Sequence, residues 1–206
     1  SLAGLERGIG SPAASAVDVA LWDLRGRQTK TPVHRLLGAR TDRLQTYASD
    51  ALWSSLPPDV LAQNAAGFVA EGFGAIKIRT GGSKDPAQEA ARVRAVRAAV
   101  GDGTLVLYDA LQGYDVETAI AVGRALEREN VGWLEDPVPE SDLAGLARVR
   151  AALDLPIASG EDATWPEGCL AFLERDAVDV LMVDPKWVGG LTPWLRVARA
   201  AAGRGV

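Results

Sequence analysis

The chain contains 206 residues, of which 48% are hydrophobic, and it carries a formal net charge of −5. This length and apolar content suffice for a sizeable buried core. The mild acidity argues against nucleic acid and anionic membrane surfaces as main partners, and no apolar run approaches the roughly 20 residues of a membrane-spanning helix. Because the single cysteine, Cys169, cannot form an internal disulfide, a reducing cytoplasm is the expected location.

Residues 1–40 carry helical rather than strand patterns. Ser11 is a possible helix N-cap with Pro12 at the first helical position, and apolar residues recur at helical spacing up to about Gln28. A second, short apolar cluster ends at Gly38. We therefore predict a helical segment ahead of the first strand.

Beyond this segment, strand and helix patterns alternate along the chain. Alternation of this kind predicts right-handed crossovers and a parallel sheet. Four helices are predicted to begin at capping signals, which are Asp85-Pro86, Asp115, Ser141 and Thr192-Pro193. The predicted strands are Leu44–Ala48, Ala75–Arg79, Leu105–Asp109, Val131–Glu135, Pro156–Glu161 and Val178–Asp184.

Two architectures contain such a sheet, the doubly wound open sheet and the closed barrel. The near-continuous apolar strands suit a sheet that is buried on both faces. No glycine-rich phosphate loop follows any strand, and Gly81-Gly82 is too short a signal, which argues against the doubly wound sheet. We therefore expect an α/β fold of the TIM-type (β/α) barrel. Because a closed barrel typically has eight strands in about 250 residues, about two further βα units are expected after Val206.

Three of the predicted strands end in an acidic residue. Asp109, Glu135 and Glu161 are spaced 26 residues apart in both intervals, which is one βα unit. The carboxyl ends of barrel strands meet on one face, where barrel enzymes carry their active sites. Converging carboxylates would repel each other unless a hard cation lies between them. The pattern predicts a magnesium site, although each acid taken alone could be a helix cap or a solvated charge.

Two cations share one side of the second predicted strand. Lys77 and Arg79 follow each other with a period of two, so that Ile76 and Ile78 lie on the opposite side. Cations that point into a barrel are costly unless they face anions. The carboxylate cluster or a bound acid would supply those anions; the alternative is a strand end whose cations reach solvent.

Asp184 is a fourth acid at a strand end and is followed by the residues Pro-Lys-Trp-Val-Gly-Gly. Taken alone, it is more simply interpreted as a helix-capping acid. In this context it could instead orient a general base from a neighbouring strand. Lys186 is predicted to be a solvated loop residue, and His34, the only histidine, a surface or packing residue.

Together these residues resemble the mandelate racemase branch of the enolase superfamily, within the mandelate racemase/muconate lactonizing enzyme family. The resemblance covers nearly the whole chain and consists of ordered motifs at suitable spacing. They are Ala20-Leu21-Trp22-Asp23-Leu24 with Leu36-Leu37-Gly38, Lys77-Ile78-Arg79, Tyr108-Asp109-Ala110, Trp133-Leu134-Glu135-Asp136-Pro137, Ser159-Gly160-Glu161, and Asp184 with Gly189-Gly190.

The resemblance implies a modified TIM barrel that is incomplete here and lacks most of its N-terminal capping domain. Residues 1–40 would be the helical lead-in that joins capping domain and barrel, and residues 41–206 the partial catalytic barrel. It also implies that Asp109, Glu135 and Glu161 bind Mg²⁺, and that the enzyme assembles into homo-oligomers.

The family's chemistry is removal of the proton α to a carboxylate, with the metal and a lysine stabilising the resulting enediolate. By position, Lys77 matches this lysine. Asp184 matches the acid that orients a catalytic histidine of the next strand, which would lie beyond Val206. Muconate-lactonizing and dipeptide-epimerizing relatives place a lysine base at position 184, so the aspartate favours the mandelate racemase branch.

Two residues depart from the family pattern. Arg79 replaces the second lysine of the family's Lys-x-Lys; an arginine side chain is a poor base but a good bidentate clamp for a carboxylate. Leu111 replaces an asparagine that is usual two residues after the first ligand.

These observations favour a magnesium-dependent lyase that dehydrates a sugar acid in carbohydrate acid catabolism. Arg79 would hold the substrate, Lys77 would stabilise the enediolate, and Asp184 would orient the base. A racemase or epimerase of a 2-hydroxy acid on the same scaffold is the first alternative. A non-catalytic, degenerate barrel that binds metal or carboxylate is the second.

Overall fold

The computed structural model describes residues 11–206. The described chain divides into two compact units. We call residues 45–159 and 177–180 the strand unit, and residues 11–44, 160–176 and 181–206 the terminal unit. No helix within residues 11–206 has the length and hydropathy of a transmembrane span.

A parallel sheet with the strand order β1-β2-β3-β4-β5 organises the strand unit. Its strands are β1 (Ala75–Arg79), β2 (Leu105–Asp109), β3 (Val131–Glu135), β4 (Ile157–Ser159) and β5 (Val180–Leu181). The first three ladders are parallel, and their register sets Arg79 opposite Asp109 and Asp109 opposite Glu135. The register therefore brings the ends of three strands to one edge.

Helices alternate with the strands. In the strand unit they are α3 (Pro58–Ala70), α4 (Pro86–Val100), α5 (Val116–Glu127) and α6 (Leu143–Ala152). In the terminal unit they are α1 (Ser11–Thr29), α2 (Val33–Leu36), α7 (Trp165–Glu174), α8 (Pro185–Val188) and α9 (Leu191–Ala202).

The core of the strand unit lies on both faces of the sheet, as the continuous apolar strands predict. Ile76, Val106 and Ile157 are fully buried on one face, and Leu107 and Ala158 are buried on the other. Burying an aliphatic side chain of this size stabilises the fold by about 1.5–3 kcal/mol. The strands are consequently rigid supports for the residues at their ends.

Five predicted elements differ from the structure. The last two predicted strands are shorter: β4 ends at Ser159 and β5 at Leu181, so Glu161 and Asp184 follow their strands rather than end them. Leu44–Ala48 contributes only an isolated bridge between Ala48 and Ile76, and Leu44 is 84% exposed, so the sheet has five strands rather than six. The helix predicted from Ser141 begins one residue later: Asp142 is the N-cap, because its carboxylate accepts the Gly145 amide at 2.8 Å.

The predicted start of the last helix at Thr192-Pro193 is also displaced, in this case by a tertiary contact. Gly190 is the N-cap of α9 and supplies no side chain. The acceptor comes instead from Asp18 of α1, whose carboxylate accepts the Thr192 amide at 3.0 Å. Aspartates at positions 85 and 115 cap their helices as the sequence predicts.

A buried polar network fastens the loop after β1 to α4. Glu89, 1% exposed, accepts hydrogen bonds from the amides of Gly81 and Ser83 and from the Tyr108 hydroxyl at 2.7 Å. Burial strongly raises the pKa of Tyr108, so this hydroxyl remains a donor. The loop that follows Arg79 is thereby tied to the helix behind it.

Replacing Tyr108 by Phe tests this network. The Glu89 carboxylate loses one donor while its two amide partners remain, so the free energy of unfolding should fall by about 1–2 kcal/mol. Urea denaturation of Tyr108→Phe measures the loss. Glu117→Gln is the control, because Glu117 is an exposed residue that pairs with Arg148 on the surface; an equal loss in both variants would contradict the assignment.

The terminal unit has its own small core, which contains the single cysteine. Cys169 is fully buried beside Val188 and Val197. It forms no disulfide within residues 11–206 and packs as a small buried residue, which is how the sequence context predicts it, and its Sγ donates to the Ala163 carbonyl at 3.8 Å.

Candidate functional site

Two of the predicted metal ligands stand side by side at the end of the sheet. Asp109 ends β2 and Glu135 ends β3, and the two residues are partners in the ladder. Their side chains are 6% and 1% exposed. Such burial of two adjacent carboxylates requires compensating positive charge.

Lys77 supplies part of that charge. Its ammonium group donates a hydrogen bond to Oε1 of Glu135 and lies 3.6 Å from Oδ2 of Asp109. Lys77 itself is only 7% exposed. The period-two placement on β1 thus directs Lys77 towards the carboxylates, as predicted.

The pKa shifts in this cluster follow from its charge imbalance. Burial lowers the pKa of Lys77, but the hydrogen bond and charge of Glu135, with the charge of Asp109, outweigh burial and raise it overall. Burial raises the pKa of Glu135, and Asp109 adds to this rise while Lys77 opposes it. The pKa of Glu135 is therefore raised chiefly by burial, whereas the pKa of Lys77 is raised by its two carboxylate neighbours against the effect of burial.

Arg79 borders the same cluster. Its Nε lies 3.8 Å from Oδ2 of Asp109, its Nη1 donates to the carbonyl of Ser49 at 3.2 Å, and its guanidinium stacks on Trp53. Within residues 11–206, Nη2 has no hydrogen-bond acceptor. The guanidinium therefore keeps an edge with which it could clamp a carboxylate.

Aromatic residues that the sequence reasoning did not single out as functional complete the strand-unit site. The indole of Trp133 donates to Oε2 of Glu135 at 3.1 Å, and its ring meets Tyr47 edge-to-face at 5.6 Å. Tyr47 also lies 5.5 Å from the Lys77 ammonium. Trp133 precedes Glu135 by two residues, and this same-side spacing is the signal that could have revealed it.

Leu111 adopts the left-handed conformation with φ 53°. Its amide donates to Oδ1 of Asp109 at 2.9 Å, and its side chain is 47% exposed. The backbone of residue 111 thus makes a polar contact to Asp109 that its leucine side chain cannot make.

Glu161 and Asp184, the other two predicted acids, belong to the terminal unit. Both line a cavity of about 500 Å³ whose wall also contains Asp162, Lys186 and Trp187. Glu161 is exposed. Glu161 and Asp184 therefore line one cavity, and Asp184 is the acid that the family resemblance expects to orient the catalytic histidine.

Asp184 also caps a helix, the simpler role considered for it. Its Oδ1 accepts the Lys186 amide at 2.7 Å at the start of α8. Capping occupies one carboxylate oxygen, so Oδ2 remains for a further partner. Lys186 is exposed above the Trp187 ring, as a solvated loop lysine would be.

Gly160 sets the direction of the chain just before Glu161. Its φ is 115°, and an added Cβ would lie 2.9 Å from Leu181 and 3.1 Å from the carbonyl of Met182. Gly160→Ala should therefore lower the free energy of unfolding by roughly 2 kcal/mol through left-handed strain and overlap.

Thermal unfolding of Gly160→Ala beside Gly168→Ala provides the test. Gly168 lies within α7, and a Cβ added there would have no neighbour within 4 Å, so alanine should stabilise by about 0.5–1 kcal/mol. Equal behaviour of the two variants would refute the role of Gly160.

The donor set fits the metal that the sequence predicts. Asp109 and Glu135 are hard oxygen ligands in a buried, net negative pair, and Mg²⁺ commonly takes one or two carboxylates and leaves its remaining positions to water and substrate. Within residues 11–206, no group of three or more His, Cys, Asp and Glu side chains is assembled as a metal site. The three-carboxylate ligand set therefore stays a prediction.

The fold and these strand-end residues define an α/β protein of the barrel-enzyme class, and comparison with known families agrees. Residues 60–206 match the family described as enolase C-terminal domain-like, and residues 7–38 match the mandelate racemase/muconate lactonizing enzyme N-terminal domain. The chain belongs to the enolase superfamily. The predicted family and fold class are confirmed.

Similar proteins include lyases and isomerases. The L-talarate/galactarate dehydratase of Salmonella typhimurium is 36% identical over 96% of this chain and 50% of its own length. The L-Ala-D/L-Glu epimerase of Bacillus subtilis is 30% identical over 94% of this chain and 52% of its own length. The chain thus spans about half the length of these relatives.

A solved structure with a bound metal is also similar. The L-talarate dehydratase of Polaromonas sp. JS666, complexed with Mg and L-glucarate, superimposes with a TM-score of 0.91 at 36% identity. The match covers 95% of this chain and 55% of that protein. That relative therefore holds the metal and the class of ligand that the sequence of this chain predicts.

Proposed function

We propose that this chain is part of a magnesium-dependent lyase that dehydrates a sugar acid. The observation that carries the proposal is the buried cluster in which Lys77 bridges Asp109 and Glu135 while Arg79 lies beside Asp109. The similar dehydratases support the substrate class. When bound, Mg²⁺ would neutralise negative charge that develops on the substrate carboxylate.

Each proposed site residue has its own role. Asp109 and Glu135, together with Glu161, would hold the metal. Arg79 would bind the substrate carboxylate through its unpaired edge, and the Lys77 ammonium, whose pKa is raised, would donate a hydrogen bond to the oxygen that gains charge. Removal of the α-proton followed by loss of the β-hydroxyl as water yields an enol, which tautomerises to a 2-keto-3-deoxy acid.

The base that takes the α-proton is proposed to be a histidine oriented by Asp184. His34 does not serve, because it is paired with Asp42 at the surface. The residues that follow Val206 in the reading frame test this assignment: a histidine at the end of the next strand completes the pair, and its absence removes the base from the proposal.

The activity test uses the complete protein with Mg²⁺ and a panel of aldonic and aldaric acids in heavy water. The lyase produces a 2-keto acid, which is detected as its semicarbazone, with loss of the starting acid in the NMR spectrum. If the protein binds Mg²⁺ but neither forms a 2-keto acid nor exchanges the α-proton of any acid in the panel, the non-catalytic barrel is favoured.

The second candidate is a racemase or epimerase, which the similarity to the B. subtilis epimerase favours. Exchange of the α-proton for deuterium with retention of the hydroxyl would identify it. Arg79 weighs against a two-base racemase, because guanidinium is a poor base. A cytoplasmic location and a homo-oligomeric state remain parts of the proposal; the single cysteine, which cannot form an internal disulfide, supports the location.

A further inference from the structure

A single buried arginine connects the end of β1 to the segment that precedes α3. Arg92, 6% exposed, donates through Nε to the carbonyl of Arg79 at 3.1 Å. Its Nη2 donates to the carbonyls of Trp53 at 2.9 Å and Ser54 at 3.2 Å, and its Nη1 to that of Leu56 at 2.6 Å. One side chain therefore fixes the backbone of Arg79 and the backbone of residues 53–56 relative to each other.

The side chain presented by this segment is Trp53. Its ring centroid lies 4.3 Å from Cζ of Arg79, and the indole is nevertheless 45% exposed. Leu52, fully buried, accepts the Arg79 amide at 3.3 Å and anchors the segment from the other end. A large exposed aromatic held this firmly over a charged group is available for contact with a ligand.

The stacking changes what Arg79 can bind. One face of the guanidinium is covered by the indole, while the edge at Nη2 stays open to an incoming acceptor. Covering the face removes water from it, and hydrogen bonds to a carboxylate strengthen where the local dielectric is low. The exposed part of the indole offers an apolar surface to the C–H groups next to that carboxylate.

We propose that Trp53 is a specificity-determining residue that forms one wall of the carboxylate subsite at Arg79, with Arg92 as its positioning residue. The inference rests on the proposed role of Arg79 and names the ligand chemistry: a carboxylate followed by a short polyhydroxylated carbon chain. Trp53 contributes to holding this acid, whereas the proton-transfer step depends on other residues.

Steady-state kinetics of the complete protein with Mg²⁺ and galactarate or gluconate test the proposal. Trp53→Ala should raise KM by about three- to tenfold, the range expected for loss of a cation–π wall, with kcat within about twofold of the wild type. Trp53→Phe keeps an aromatic face and should recover most of the loss. An unchanged KM in Trp53→Ala would overturn the proposal.

A double-variant experiment tests the positioning role. Arg92→Met should raise KM to a similar degree, and adding Trp53→Ala should cause little further change, because both act on the same wall. Arg94→Met is the matched control on the same helix, where Arg94 pairs with Glu129 at the surface. Additive effects on KM would overturn the positioning role; if Arg92→Met does not fold, the two Trp53 variants still decide the proposal.

Calorimetric binding of the same acids separates this inference from the proposed function. If the wild type binds these acids without turning them over, and Trp53→Ala weakens the binding, the wall formed by Trp53 is supported and the lyase is refuted. If the wild type turns over these acids and Trp53→Ala binds them equally well, the wall is refuted and the lyase proposal stands. If the wild type neither binds nor turns over these acids, both proposals fall.

Discussion

Replacing Lys77 by Met should lower kcat by roughly 10²–10⁴-fold, because the variant loses the charged donor that we propose for the oxygen that gains charge. The substitution preserves much of the side-chain volume and removes the charge. It also leaves Asp109 and Glu135 without their shared cation. Removal of one partner from a buried ion cluster costs about 3 kcal/mol of folding stability, so the variant should be markedly less stable in EDTA.

Metal dependence distinguishes the two consequences. Mg²⁺ bound by the carboxylates should recover part of the stability of Lys77→Met without recovering its turnover. Urea denaturation, once in EDTA and once in Mg²⁺, measures the folding stability of the variant. Steady-state kinetics measure its kcat. Lys84→Met is the control, since Lys84 is an exposed lysine of the same unit. Near-normal kcat in a folded Lys77→Met variant would remove Lys77 from the proposed mechanism.

Replacing Glu161 by Gln in the complete protein should abolish magnesium-dependent turnover. The amide keeps the size of the side chain but not its charge, and a hard cation binds a neutral amide oxygen much less well than a carboxylate. We expect at least about a hundredfold loss of Mg²⁺ affinity. Because Glu161 is exposed, the stability of the apoprotein should change little.

Calorimetric titration with Mg²⁺ and activity at saturating substrate measure the two effects of Glu161→Gln. The matched control is Glu167→Gln, whose carboxylate pairs with Arg196 on the surface of the same unit and should bind no metal. Undiminished activity and Mg²⁺ affinity in Glu161→Gln would overturn its assignment as a ligand.

Local patterns were sufficient to predict the three strands that position the strand-unit site. β1, β2 and β3 have the predicted bounds, because each is a short apolar run flanked by turn or capping residues. Period-two alternation placed Lys77 and Arg79 on one side of β1, and both do face Asp109. The predicted β4 and β5 were too long, since the actual strands are Ile157–Ser159 and Val180–Leu181.

Local patterns could not predict the roles of residues whose partners are distant in the sequence. Arg92 reads in the sequence as one more charged residue on a helix, yet its partners are carbonyls as far away as Trp53. Asp18 lies among apolar residues of α1 and caps α9 from 174 positions away along the chain. Neither contact leaves a periodic signal, because each is set by packing between separate elements.

The sequence alone therefore determined the family, the alternation of strands and helices, and the acids and cations at the ends of β1, β2 and β3. These properties follow from residue type and local spacing, which repeat with the geometry of strands and helices. Only the tertiary structure decided that Lys77 bridges Asp109 and Glu135, that Trp133 donates to Glu135, and that Arg92 fixes Trp53 over Arg79. Such contacts depend on the strand register and on the packing of helices against the sheet, which join residues far apart in the chain.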